Sequence, residues 1–254
     1  MMAGMDDPQR DFPVPERRWG LAMTWLDLCF LHWAVAPEQL APHLPPGLTL
    51  DTWEGRAYLG VVPFRMAGVH PRGFPDVPGL SAFPELNLRT YVTAGGQAGV
   101  WFFSLDAANP VAVRLARTFF HLPYFEARMH AEQLGGSVRY LSARTHRGAF
   151  PVRFQADYAP AGPVFTAAPG SLERWLTARY LLFSGDGAGR LFRGHIDHEP
   201  WPLQRANYRI RVNSVADQIG VALEGEPHAL FARELRVRAW TLDGVAEHLH
   251  GPSI

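Results

Sequence analysis

The chain has no lysine: all 24 basic residues among its 254 are arginines. Without a side-chain amine, Schiff-base chemistry on a lysine is excluded, because an imine needs a primary amine as nucleophile. Arginine in place of lysine also fits a GC-rich coding sequence, since arginine codons are GC-rich and lysine codons are not. There is one cysteine, Cys29, so neither an internal disulfide nor a multi-cysteine metal site can form, which suits a reducing compartment. Neither sign of charge is in excess, with 24 acidic residues against 24 basic ones, and the summed field gives no reason to expect a nucleic acid or a membrane as partner. A long apolar run is missing too. LAMTWLDLCFLHWAVA follows Arg17-Arg18 in the manner of an export signal, but Asp27 and His32 interrupt it. It also falls short of the ~20 apolar residues of a membrane span. Residues 25–33 are better described as a buried strand that turns at Ala36-Pro37, and the expected location is the cytoplasm.

What is present suffices for one sizeable core: 47% of the residues are hydrophobic and 19% charged. A single domain over residues 1–254 is expected, with residues 1–18, rich in Pro, Asp and Arg, as a surface arm. PEQLAPHL predicts a short helix, and TLDTW and AYLGVVPF flank a hairpin turn at Glu54-Gly55. Residues 68–79 are dense in proline and glycine, which predicts a rim or lid rather than helix or strand. ELNLRTYV alternates Glu85, Asn87, Arg89 and Tyr91 with Leu86, Leu88, Thr90 and Val92, and GVWFFSLDA returns antiparallel after Ala94-Gly95-Gly96. Asn109 caps and Pro110 opens a helix through VAVRLARTFF, with Val111, Leu115 and Phe119 on one stripe. FEARMHAEQL, SVRYLSART and VRFQADYAP predict a meander; SLERWLTARYLLF predicts a helix capped by Ser171, followed by three or more strands. The fold class is therefore α+β: a mainly antiparallel, curled or closed sheet around a cavity, with two or three short helices.

No cofactor or metal is expected. On a strand, His195 and Asp197 share a face while His198 points away, and His248 with His250 is an equally thin pattern. Gly135-Gly136 and GDGAGR do not precede a helix in a βαβ unit, and no serine elbow occurs. The polar face of Glu85, Asn87, Arg89 and Tyr91 either lines a cavity or meets water. Arg114 and Arg117, three apart on one helix, are either solvated or paired with Glu126. His121 is either a general base titrating near neutrality or a packing residue.

Several stretches carry a resemblance. PEQLAPHLPPGLTLD, GLSAFPE and SLDAANPVAVRLARTFFHLPYFEA are similar to segments of the acetoacetate decarboxylase-like superfamily. Through HW, FPELNLRTYV, WFFSLDA and HEPWPL the chain more closely resembles the YqjF-like, or DUF2071, branch. Carried over position by position, the resemblance puts the superfamily's catalytic glutamate at Glu85 and its arginine at Arg117. Its proline falls at Pro123 and its two lysines at Tyr124-Phe125. A basic residue that decarboxylases carry in their N-terminal strand falls near Trp25 or Leu26 and is missing. A phenol cannot form an imine, so the decarboxylase reaction does not carry over; Tyr124 can still polarise a carbonyl by donating a hydrogen bond. The candidate catalytic residues are Glu85 and Tyr124, and the candidate ligand-binding residues are Asn87, Arg89, Arg117 and His121. The expected function is binding of a small anionic or carbonyl-containing molecule. Two alternatives stand beside it: an enzyme that enolises, hydrates or isomerises a carbonyl compound without an imine, and a structural or interaction protein with a vestigial pocket. Superfamily relatives often assemble, so a homo-oligomer stays open.

Overall fold

The computed structural model describes residues 10–77 and 79–245. Thirteen strands join in one sheet: β1 (Leu21–Val35), β2 (Thr49–Leu50), β3 (Ala57–Pro71), β4 (Phe83–Ala94), β5 (Gln97–Ala107), β6 (Tyr124–Leu134), β7 (Ser137–Arg144), β8 (Arg153–Phe165), β9 (Leu181–Gly185), β10 (Leu191–His198), β11 (Leu203–Asn213), β12 (His228–Ala239) and β13 (Asp243–Gly244). Three short helices accompany them: α1 (Pro37–Leu40), α2 (Pro110–Phe120) and α3 (Leu172–Thr177).

The sheet closes on itself twice. One ring runs β1-β3-β4-β5-β6-β7-β8-β11-β12 and returns to β1. β9 and β10 then bridge β5 to β12, making a second ring that shares the wall β12-β1-β3-β4-β5. The result is the mainly antiparallel closed sheet expected; β5 pairs in parallel with β6 and β9.

A wall shared by two rings is buried on both faces, so successive side chains enter different cores. Cys29, Leu31, Leu59, Val61, Leu86 and Leu88 point into the larger ring. Leu28, Phe30, Val62 and Phe64 point into the smaller one, against Trp201 and Val113 of α2. Asp27 sets this phase in β1. Its φ of 52° makes a bulge, so Met23 and Trp25 before it share a core with Leu28 and Phe30 after it. The fully buried carboxylate of Asp27 accepts hydrogen bonds from Arg65 Nε at 3.0 Å, Gln133 Nε2 at 2.8 Å and Arg233 Nη1 at 2.6 Å, tying β3, β6 and β12 together.

Several local expectations need correction. Residues 68–71 continue β3 instead of opening a loop, because Pro71 and His70 stay in register with Leu21 and Ala22. The turn at Glu54-Gly55 forms, with φ of 49° and 76°, but β2 pairs with β4 rather than with β3. The α2 stripe faces outward: Val111, Leu115 and Phe119 are exposed while Val113 is buried. Asn109 Nδ2 donates to Leu80 O at 2.7 Å while Asn109 Oδ1 caps Val111 and Ala112, and this double anchor is what orients the helix. The helix begun at Ser171 ends at Thr177, because Ala178 leaves helical ψ and Leu181 and Phe183 are needed as strand residues beside Arg193 and His195. Residues 1–9 of the proposed arm lie outside the described residues. From Arg10 onward the arm is pinned, by Arg10 to Asp197 at 3.0 Å and by Arg17 to Asp243 at 2.5 Å.

Candidate functional site

The polar face of β4 looks into the smaller ring, with Glu85, Asn87 and Tyr91 buried there and Arg89 half-buried. β9 and β10 close that ring in front of it. Trp175 of α3 covers its end, with ring centres 4.9 Å apart from Tyr91. Glu85 is 2% exposed and Asn87 5%. Tyr124 opens β6, held beside β5 by pairing with Leu105, and its Oη donates to Glu85 Oε2 at 2.9 Å. From the other ring, Tyr140 Oη donates to the Glu85 carbonyl oxygen at 2.6 Å, which fixes the backbone below the carboxyl group.

Burial, reinforced by the charge of Asp106, raises the Glu85 carboxyl to about 8, against the lowering effect of the Tyr124 hydrogen bond. Near neutral pH Glu85 therefore keeps its proton. The Tyr124 phenol is driven well above its usual range by burial and by Glu85. The pair thus leaves the acid O–H of Glu85 as a hydrogen-bond donor near neutrality, and that carboxyl can exchange a proton close to that pH.

Further along β4 lies a second group. Cross-strand pairing aligns His32, Gly60 and Arg89 in one row. A Cβ on Gly60 would sit 3.0 Å from His32 Cδ2 and 3.3 Å from Arg89 Cγ, so only glycine lets these two side chains lie together. His32 Nε2 meets Tyr91 Oη at 2.6 Å, and Arg89 Nη2 donates to the same oxygen at 3.2 Å.

The structure thus places Glu85, Asn87 and Tyr124 together as buried side chains, with the half-buried Arg89 further along the same face of β4. Arg117 and His121 sit elsewhere. Arg117 is on the exposed side of α2, and its Nη1 donates to the backbone oxygen of Tyr124 at 2.7 Å. His121 ends α2 at φ 48° and stacks on Phe192, ring centres 4.8 Å apart. Glu126 has no ion pair with Arg114 or Arg117 among the described residues. Of the histidine-rich stretch, Asp197 is consumed by Arg10 and Arg238, and His195 faces Asp243 at 3.8 Å. His248 and His250 lie outside the described residues, and among those described no cluster of three metal-ligating side chains occurs. A groove of about 620 Å³ between β11 and residues 221–227 lies apart from all of this, lined by Trp33, Asn213 and Glu226 but not by Glu85 or Arg89.

Sequence reasoning missed two partners. His32 sits in an apolar strand where nothing marks it as polar lining, although the lone Gly60 in AYLGVVPF signals a close approach. Asp106, hidden in FFSLDA, is buried against Arg144 Nη2 at 2.7 Å, and only the fold brings the two together.

Comparison with known proteins agrees with this architecture. The family model DUF2071, an uncharacterized conserved protein, matches residues 22–236. The uncharacterized protein YqjF of Bacillus subtilis (strain 168) is 43% identical over 235 residues, covering 92% of this chain and 96% of that one. Among solved structures, the enduracididine biosynthesis enzyme MppR complexed with pyruvate aligns with a TM-score of 0.62 at 13% identity, over 95% of this chain and 94% of that one. The acetoacetate decarboxylase of Legionella pneumophila aligns at 0.60 and 14%, over 98% of each chain. At such identities these likenesses carry the fold alone.

Proposed function

This chain belongs to the DUF2071 family, and on that footing we propose that its smaller ring binds a small carbonyl or carboxylate compound against Glu85 and Tyr124. The observation that carries the reading is the Tyr124–Glu85 hydrogen bond of 2.9 Å between two buried side chains, the tyrosine being part of the apolar cluster of the smaller ring. Burying an acid without a cation is costly, and a fold with no use for it would be served better by an apolar residue. The pyruvate complex of MppR lends the reading chemical plausibility, since a keto acid fits a ring of this architecture. Without a lysine the bound carbonyl is polarised by hydrogen bonds and is not converted to an imine. A second reading, an enzyme that enolises, hydrates or isomerises its ligand, is favoured by the Glu85 carboxyl at about 8, because a general acid or base works best when it titrates near the working pH.

The absence of lysine makes a direct test available. Tyr124→Lys introduces one side-chain amine beside Glu85, where burial favours its neutral, nucleophilic form. Incubation with pyruvate and borohydride should add the adduct mass at that position and at the N-terminus only. Arg139→Lys, on a side chain 51% exposed, supplies the control. Equal trapping at both positions, or none at position 124 in a folded variant, removes the interior site and leaves the vestigial reading.

A further inference from the structure

Arg89, half-buried on β4, differs from the arginines whose side chains are buried in this molecule. Arg144 is paired with Asp106 at 2.7 Å, Arg179 with Asp51 at 2.5 Å and Arg10 with Asp197 at 3.0 Å. Arg89 has no carboxylate partner among the described residues. Its guanidinium lies 5.3 Å from the centre of the Phe30 ring, it donates to Tyr91, and its Nε is buried without an acceptor. An arginine stays charged at every physiological pH, so a half-buried positive charge with a buried Nε stands on the β4 face without a carboxylate partner among the described residues.

The neighbours of Arg89 fix it in place without neutralising it. Tyr91 Oη accepts from Arg89 and lies 2.6 Å from His32 Nε2. Burial, with the charge of Arg89, holds the His32 imidazole well below its usual range and therefore neutral. Gly60 supplies the space that lets the two side chains approach. The carboxyl of Glu85 cannot be the missing anion: it is four residues down the strand, about 13 Å at the backbone, and it is occupied by Tyr124. Between them Asn87 Oδ1 is buried without a partner, so the polar strip continues from Arg89 toward Glu85.

We infer that Arg89 is the carboxylate-recognising group of the interior site, and that the ligands are small organic monocarboxylates whose second oxygen function extends along β4 toward Asn87 and Glu85. This rests on the interior site proposed above and adds the charge and polarity of the ligand to it. A carboxylate there accepts from Nε and a free Nη in the fork geometry that guanidinium groups favour, and it supplies the charge the fold withholds. His32 and Tyr91 are positioning residues.

The test compares 4-oxopentanoate with its uncharged methyl ester, binding being read by calorimetry and by the Nε–H NMR signals of protein labelled with ¹⁵N-arginine. The Arg89 signal is identified by its loss in Arg89→Met. In the native protein the acid should bind roughly 10- to 100-fold more tightly than the ester, the range for a hydrogen bond to a charged group, and should move the Arg89 signal. Arg89→Met should bring that ratio close to one. Gly60→Ala, which keeps the guanidinium but crowds it, should lower the ratio too, and it serves if Arg89→Met does not fold. Glu85→Gln should weaken both compounds and preserve the ratio. A native ratio near one, or a ratio unchanged in both the Arg89→Met and Gly60→Ala variants, overturns the assignment. If the ratio is near one yet Glu85→Gln weakens both compounds, the interior site survives and the carboxylate end falls. If neither compound binds, both fall.

Discussion

Two buried carboxyl groups on neighbouring strands, Asp106 of β5 and Glu85 of β4, point into different rings and have different partners. Asp106 is held by Arg144 Nε at 2.8 Å, and Arg144 in turn by Gln218 at 3.0 Å; Glu85 is held by the phenol of Tyr124. Burial raises both, Asp106 to about 6 and Glu85 to about 8. The arginine keeps Asp106 mostly ionised near neutral pH, and the pair works as a structural tie between β5 and β7. The phenol gives no such compensation, so Glu85 stays protonated and chemically adjustable. Equal burial thus produces a clamp in one ring and a candidate functional acid in the other, and the partner decides which.

The comparison can be broken most forcefully at the clamp. Asp106→Ala leaves Arg144, whose side chain is 2% exposed, as a buried charge without its counter-ion. The expected loss is about 3–5 kcal/mol, measured by urea unfolding; a loss below 1 kcal/mol would mean that the pair is not a clamp.

Glu85→Gln should act in the opposite direction. The folded carboxyl, at about 8, holds its proton more tightly than an unfolded one at 4.5. The folded state therefore binds more protons across that window, and native stability falls as pH rises from 4.5 to 8. Glutamine removes this penalty. The variant should be more stable than the native protein at pH 8 by at least about 1 kcal/mol, with the advantage fading toward pH 4.5, and thermal unfolding at several pH values would reveal any other pattern. Tyr124→Phe sharpens the point. Without the phenol, which lowers the Glu85 carboxyl, the titration seen by carboxyl ¹³C NMR should move above about 8 at a cost of ~1 kcal/mol in stability. Arg117→Ala has the smallest expected effect, within about 0.5 kcal/mol and without change in ligand response, because its side chain lies outside the ring. A loss of ligand response there would return Arg117 to the site.

The alternation of β4 was legible residue by residue, but which of its faces met water was not. Enclosure of the Glu85 face depends on β9 and β10, which lie about a hundred residues later, and no local pattern announces that a wall will be shared. The same limit applies to α2: its apolar stripe at Val111, Leu115 and Phe119 suggests an inward face, whereas the anchor of Asn109 on Leu80 turns it outward. Capping chemistry is local and was readable at Asn109 and Ser171; where α3 stops depends on strand pairing and was not. The Glu85 and Tyr124 positions came from resemblance, and the structure supplies their hydrogen bond. His32 escaped notice because its partners, Tyr91 and Arg89, come from a strand two places away in the sheet.

The double closure also bears on how the chain is made. Both rings are completed through β12, the last long strand among the described residues, which pairs with β1, β10 and β11 and sets Leu21 against Ala239. While the polypeptide is being synthesised, neither ring can close until β12 has emerged. Contacts so distant in sequence make folding slow, and for that interval the open edges of β1 and β11 are exposed to other chains. Loss of β12 would therefore open both rings at once.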